Sequence, residues 1–80
     1  MKTIIKENKK FRVVREVKEF IDETYTIAYS RYFIQKKSIF GFWKNIIVSS
    51  FNNIEKIKEI EKEPNYTKFV NLFNVISNII

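Results

Sequence analysis

The chain contains a single glycine, Gly41, and its position constrains the fold more than any other feature. Before it lies the run 25–35, YTIAYSRYFIQ. Tyr25, Ile27, Tyr29 and Phe33 alternate there with Thr26, Ala28 and Ser30, joined further along by Tyr32 and Ile34. A period of two, with β-branched and aromatic content, predicts a strand. Behind it lies a second such run, FWKNIIVS over 42–49. The six residues 36–41 between them are short enough for a hairpin connection, and Gly41 supplies the positive φ that such a connection needs. Ile39, Phe40, Phe42 and Trp43 crowd this turn. That is more apolar surface than a solvated tip accounts for.

The rest of the chain is read around this hairpin. FRVVREVKEF, 11–20, reads two ways. As a helix it aligns Phe11, Val14, Val17 and Ile21 and forms i,i+4 ion pairs; as a strand it aligns Phe11, Val13 and Val17. The strand is favoured, because three valines in five residues suit a pleated surface and a two-stranded ribbon gains stability from a third strand. The segment 52–63, NNIEKIKEIEKE, predicts a helix. Asn52 serves as its N-cap, Glu55 stands three residues on, Ile54, Ile57 and Ile60 form a stripe, and Pro64 stops it. Residues 66–79 predict a second helix, with Phe69, Leu72, Phe73 and Ile76 on one side and Lys68, Asn71, Asn74 and Ser77 on the other. The expected architecture is α+β. It is one small domain, 1–80, with an antiparallel three-stranded sheet (about 11–20, 24–35 and 42–49) and two C-terminal helices (about 52–63 and 66–79).

Eighty residues bury only about 60–65% of the surface of the unfolded chain, so small domains often add a staple. With no cysteine and no histidine, disulfides and nearly all zinc chemistry are excluded, and no metal or cofactor is expected. Aromatic packing, with eight Phe, four Tyr and one Trp, and self-association remain. A homo-oligomer is therefore the expected staple.

Taken in order, FRVVREV, TYTIAYSRYFIQ, GFWK and FNNIEKIKEI resemble a group of short, uncharacterised proteins encoded by phages and prophages. The resemblance covers about residues 11–62. In that group the helix opens with a Thr-Leu-Glu-Glu-Ala-like stretch, where this chain has Asn53-Ile54-Glu55-Lys56-Ile57. The resemblance implies a three-stranded sheet followed by a helix and a mobile-element origin, and it carries over no catalytic residue.

The commonest catalytic base and the best nucleophile are absent along with His and Cys. Asp22 and Glu23 are adjacent and diverge. Glu55, Glu59 and Glu63 alternate with Lys56, Lys58 and Lys62 as a solvated helix face. One glycine cannot build a phosphate-binding loop. An enzyme is not expected, nor a small-molecule substrate. The net charge of +6 comes from twelve lysines and only three arginines, a bias that an AT-rich gene also produces.

Nucleic acid is consequently the alternative reading. It would be bound without strong specificity through Arg12, Arg15, Arg31, Lys36, Lys37 and Lys44 near the tyrosines. The first reading is a non-enzymatic protein-binding module, on a host or self partner. Ile39, Phe40, Trp43 and Tyr32 serve as its contacts, since interfaces favour aromatic anchors. The C-terminal helix has Asn and Ser on its polar face and Lys68 as the only charge, a poor composition for a membrane-surface helix. Attachment through it ranks last, and no membrane partner is expected. The N-terminus lacks an apolar signal-peptide core, which predicts a cytoplasmic protein.

Overall fold

The structure, a computed structural model, describes residues 1–21, 23–54 and 59–79. It contains strands β1 (Lys2–Glu7), β2 (Phe11–Ile21), β3 (Thr26–Lys37), β4 (Trp43–Val48) and β5 (Asn52–Asn53). A short 3₁₀ turn (Ile60–Lys62) and the helix α1 (Tyr66–Ile79) follow. All strand pairs are antiparallel, in the order β1-β2-β3-β4, and β5 pairs with the far part of β3. The β2–β3 hairpin runs without a register break from Phe11↔Lys36 to Ile21↔Thr26. Twelve residues at about 3.3 Å each span about 40 Å. This hairpin therefore sets the long axis of a molecule measuring 47 × 25 × 16 Å, with the turns at its ends.

The expected three-stranded sheet with two helices is corrected here: the sheet has five strands and there is one α-helix among the described residues. The strands near 11–20, 24–35 and 42–49 and the helix at 66–79 are present. In the expected helix at 52–63, the Asn52 backbone is instead taken by the sheet. Asn52 and Asn53 pair with Ser30 and Tyr29, and the Ile54 amide donates to the Ala28 carbonyl at 3.0 Å. A residue paired in a ladder cannot also begin a helix, and the capping partner Glu55 lies outside the described residues. Among the described residues of the segment, only 60–62 take a helical form.

The unexpected strand, β1, pairs Lys2 through Glu7 with Glu16 through Arg12. Its register slips between Ile4 and Lys6. Ile4 and Ile5 alternate as in any strand, so that Ile5 packs on the core while Ile4 stays exposed.

One face of the sheet is covered by α1. The other, the open face, carries no helix among the described residues, yet Val14 and Phe33 are buried on it, with Lys2 and Arg31 over the Phe33 ring. On the covered face, Phe11 and Val13 of β2 meet Tyr32 and Ile34 of β3, under Phe69 and Phe73 of α1. All six are buried. Each such side chain contributes about 1.5–3 kcal/mol.

The rear of α1 is tied down by a buried ion pair. Glu63, just before Pro64, accepts from Arg15 Nε at 2.9 Å and from the Ser30 hydroxyl. Glu63 and Ser30 are buried, and the Arg15 side chain keeps only 12% of its exposure.

Candidate functional site

The connection between β3 and β4 is a braced turn carrying unburied hydrophobes. The Ser38 amide donates to the Phe42 carbonyl at 2.7 Å, and the Gly41 amide donates to the Ser38 carbonyl at 3.0 Å. The Ser38 hydroxyl oxygen accepts from the Phe42 amide at 3.1 Å. Gly41 takes φ +88°, the left-handed region that any Cβ disfavours. The backbone is therefore fixed, whereas Ile39, Phe40 and Phe42 are 94%, 80% and 71% exposed. A turn held by three hydrogen bonds presents these side chains from one backbone arrangement, so the entropy lost on covering it is that of the side chains. A binding element of this kind loses little backbone entropy when it is covered.

Trp43 stands at the base of this corner, half-buried on the open face. The Arg12 guanidinium lies 4.3 Å from its ring centre, with the Lys37 ammonium at 5.8 Å. Arg12 Nε also donates to Gln35, whose amide donates to Asn45. Further along this face Arg31 lies 4.8 Å from the Phe33 ring and 4.5 Å from Phe51. Its Nε donates to Glu16 at 2.7 Å. Partial burial works against charge on the Glu16 carboxyl, but the hydrogen bond from Arg31 and the charges of Arg31, Lys2 and Lys18 outweigh it. Its pKa is held below the ordinary value.

The other turn at this end is the β1–β2 connection. Asn8 Oδ1 accepts from the amides of Lys10 at 2.9 Å and Phe11 at 2.8 Å, closing the turn. The Lys37 amide donates to the Lys10 carbonyl, which sets this turn beside the start of the corner. The Asn8 side chain donates to Ser77 in the last turns of α1. Between them Asn8, Lys9, Lys10, Phe11 and Ser77 line an open depression.

The sequence-predicted contacts are thus divided. Ile39 and Phe40 are fully presented, and Trp43 supports them from below. Tyr32 is corrected: it is 1% exposed, packed against Tyr66 and Phe69, and reaches no surface. Its even position on β3 turns it under the helix. Its hydroxyl finds no partner of normal geometry among the described residues. Burial, then the charge of Glu63, pushes its pKa well up.

The six cations of the nucleic-acid reading do not share one surface either. The register sets Arg12, Arg31 and Lys37 on the open face. Lys36 and Lys44 lie on the helix side, and Arg15 is held by Glu63. Sequence reasoning placed Phe42 at the crowded turn but left it out of the contacts, and it missed the turn lysines Lys9 and Lys10. The signal was an Asn-Lys-Lys step between two short runs rich in β-branched residues.

Among the described residues no group of His, Cys, Asp or Glu could hold a metal ion, and no helix is long and apolar enough to cross a membrane. Compared with known protein families, curated proteins and solved structures, the chain matches none. The fold and site together define a small α+β domain with a rigid apolar corner.

Proposed function

We propose that this chain is a small non-enzymatic binding module and that the β3–β4 corner is its docking element. The observation that carries the reading is the exposure of Ile39, Phe40 and Phe42 on a turn that the backbone holds fixed. Three large side chains left in water by a braced turn are a cost that a covering surface recovers. The occupant expected from the sequence is a protein, host or self. The geometry asks of it an apolar phase deep enough for the three side chains. A mobile-element origin, implied by the resemblance to phage proteins, would make that surface a host component.

Fractionating extracts of cells that express the tagged chain tests this whatever the occupant is. Wild type should sediment with larger material. Phe40→Ser, with unchanged thermal unfolding, should shift to the slow fraction of free protein. If the variant sediments as wild type does, the corner is not the docking element.

A further inference from the structure

Charge is distributed along the molecule as unevenly as apolar surface is. Lys9, Lys10, Lys36, Lys37 and Lys44 gather at the end that carries the corner, with Arg12 just behind them. The carboxylate among them is Glu7, which lies 3.7 Å from Arg12. Glu19 and Glu23 belong to the opposite end of the β2–β3 hairpin, and Glu59, Glu61 and Glu63 to the approach to α1. A second exposed apolar group, Phe20, Ile21 and Tyr25, sits at the end that carries Glu19 and Glu23.

We propose that the occupant of the β3–β4 corner is the surface of an anionic lipid bilayer. Ile39, Phe40 and Phe42 would enter the headgroup boundary, and the surrounding lysines would face lipid phosphates. The proposal rests on the corner being the docking element and names what it docks on. Two observations select this occupant. An apolar tip within a ring of ammonium groups matches the layering of an anionic membrane, with negative headgroups outside and hydrocarbon beneath. A nucleic-acid strand would satisfy the lysines and could stack bases on Phe40 and Phe42, but it would leave Ile39, the most exposed of the three, in water.

The second observation is size. Three tip side chains offer on the order of 500 Å² on one side, which only just reaches the lower limit of a stable protein interface, roughly 1,000 Å² counted over both partners. A bilayer needs no matching surface of its own. The sequence argument against a membrane concerned α1; the cationic ring exists only once the β1–β2 turn is set beside the corner.

The test uses the purified full chain and vesicles of phosphatidylcholine, alone or mixed with phosphatidylglycerol, at about 50 and about 200 mM salt. Co-sedimentation and Trp43 emission are read together. Binding is expected to the mixed vesicles only, to weaken at the higher salt and to shift Trp43 emission to the blue. Phe40→Ser should weaken it about 10- to 100-fold, from the loss of one inserted aromatic side chain. The double variant Lys36→Gln and Lys37→Gln should weaken it about 30-fold, at about five-fold for each surface lysine.

Equal binding to neutral vesicles, no binding at low salt, or a Phe40→Ser variant that binds as wild type does would overturn the proposal. So would tighter binding to mixed-sequence single-stranded DNA than to any vesicle. If vesicles are ignored while Phe40→Ser still shifts in cell extracts, the corner docks on a protein, and only the lipid assignment falls.

Discussion

Replacing Glu63 with Gln should destabilise the domain by about 3 kcal/mol, because it strips the counter-charge from a guanidinium that is itself mostly out of water. Glu63 is buried, and both its oxygens face Arg15 Nε, at 2.9 and 3.3 Å. Removing one partner of a buried ion pair costs about 3–5 kcal/mol, since the other charge remains without compensation. The lower figure applies here, because the amide keeps the carboxylate's size and can still meet the Ser30 hydroxyl. A chain of this length has a total stability of about 4–12 kcal/mol, so the variant loses a large share of it. Its melting temperature should fall by about 12–24 °C, read by far-UV circular dichroism and checked by urea unfolding. The double variant Arg15→Met, Glu63→Leu removes both charges and should melt nearer to wild type than Glu63→Gln does. A loss below about 1 kcal/mol in Glu63→Gln would refute the reasoning, for it would mean that water reaches Arg15.

Four further outcomes follow from the same geometry. Phe69→Ala opens the core beneath α1 and should cost about 3–5 kcal/mol in urea unfolding. Gly41→Ala meets no atom within 4 Å, so its cost should be the backbone term alone, about 1–2 kcal/mol, in the same assay. Glu16 has a folded pKa below its ordinary 4.5. It therefore contributes stability that is present above that pH and is lost as pH falls through the folded value. Glu16→Gln should flatten the acid limb of the stability–pH curve measured by thermal melts. Phe40→Ser should leave the unfolding free energy within about 0.5 kcal/mol of wild type, as an exposed position does.

Legibility in the sequence followed the strength of local periodicity. Strand β3 and helix α1 announce themselves because their apolar residues recur at the period of a strand and of a helix. Tyr32 and Ile34 alternate with Phe33, and Phe69 and Phe73 recur at helical spacing. Strand β2 read correctly for the reason argued, three valines beside a strand that needed a partner.

Strand β1 was hidden because Lys-Thr-Ile-Ile-Lys-Glu does not alternate. Its register slips between Ile4 and Lys6, and of the two isoleucines only Ile5 packs on the core, which leaves no repeated apolar face to read. The helix expected at 52–63 had sound local signals, and long-range pairing of Asn52 and Asn53 with β3 overrode them. At the site, Ile39 and Phe40 were legible because too much apolar surface surrounds one glycine. The cationic ring was not, since Lys9 and Lys10 join Lys36, Lys37 and Lys44 only through strand pairing. Tyr32 misled because aromatic identity favours an interface, whereas its parity on β3 directs it inward.

The most direct test of the central claim measures docking and stability of Phe40→Ser on the same preparation beside wild type. The account predicts an unchanged unfolding midpoint together with loss of the fast-sedimenting fraction in cell extract. An unfolding free energy lowered by more than about 1 kcal/mol would show that Phe40 is packed. A variant that stays folded and still sediments with wild type would show that the corner docks on nothing; either result contradicts the account.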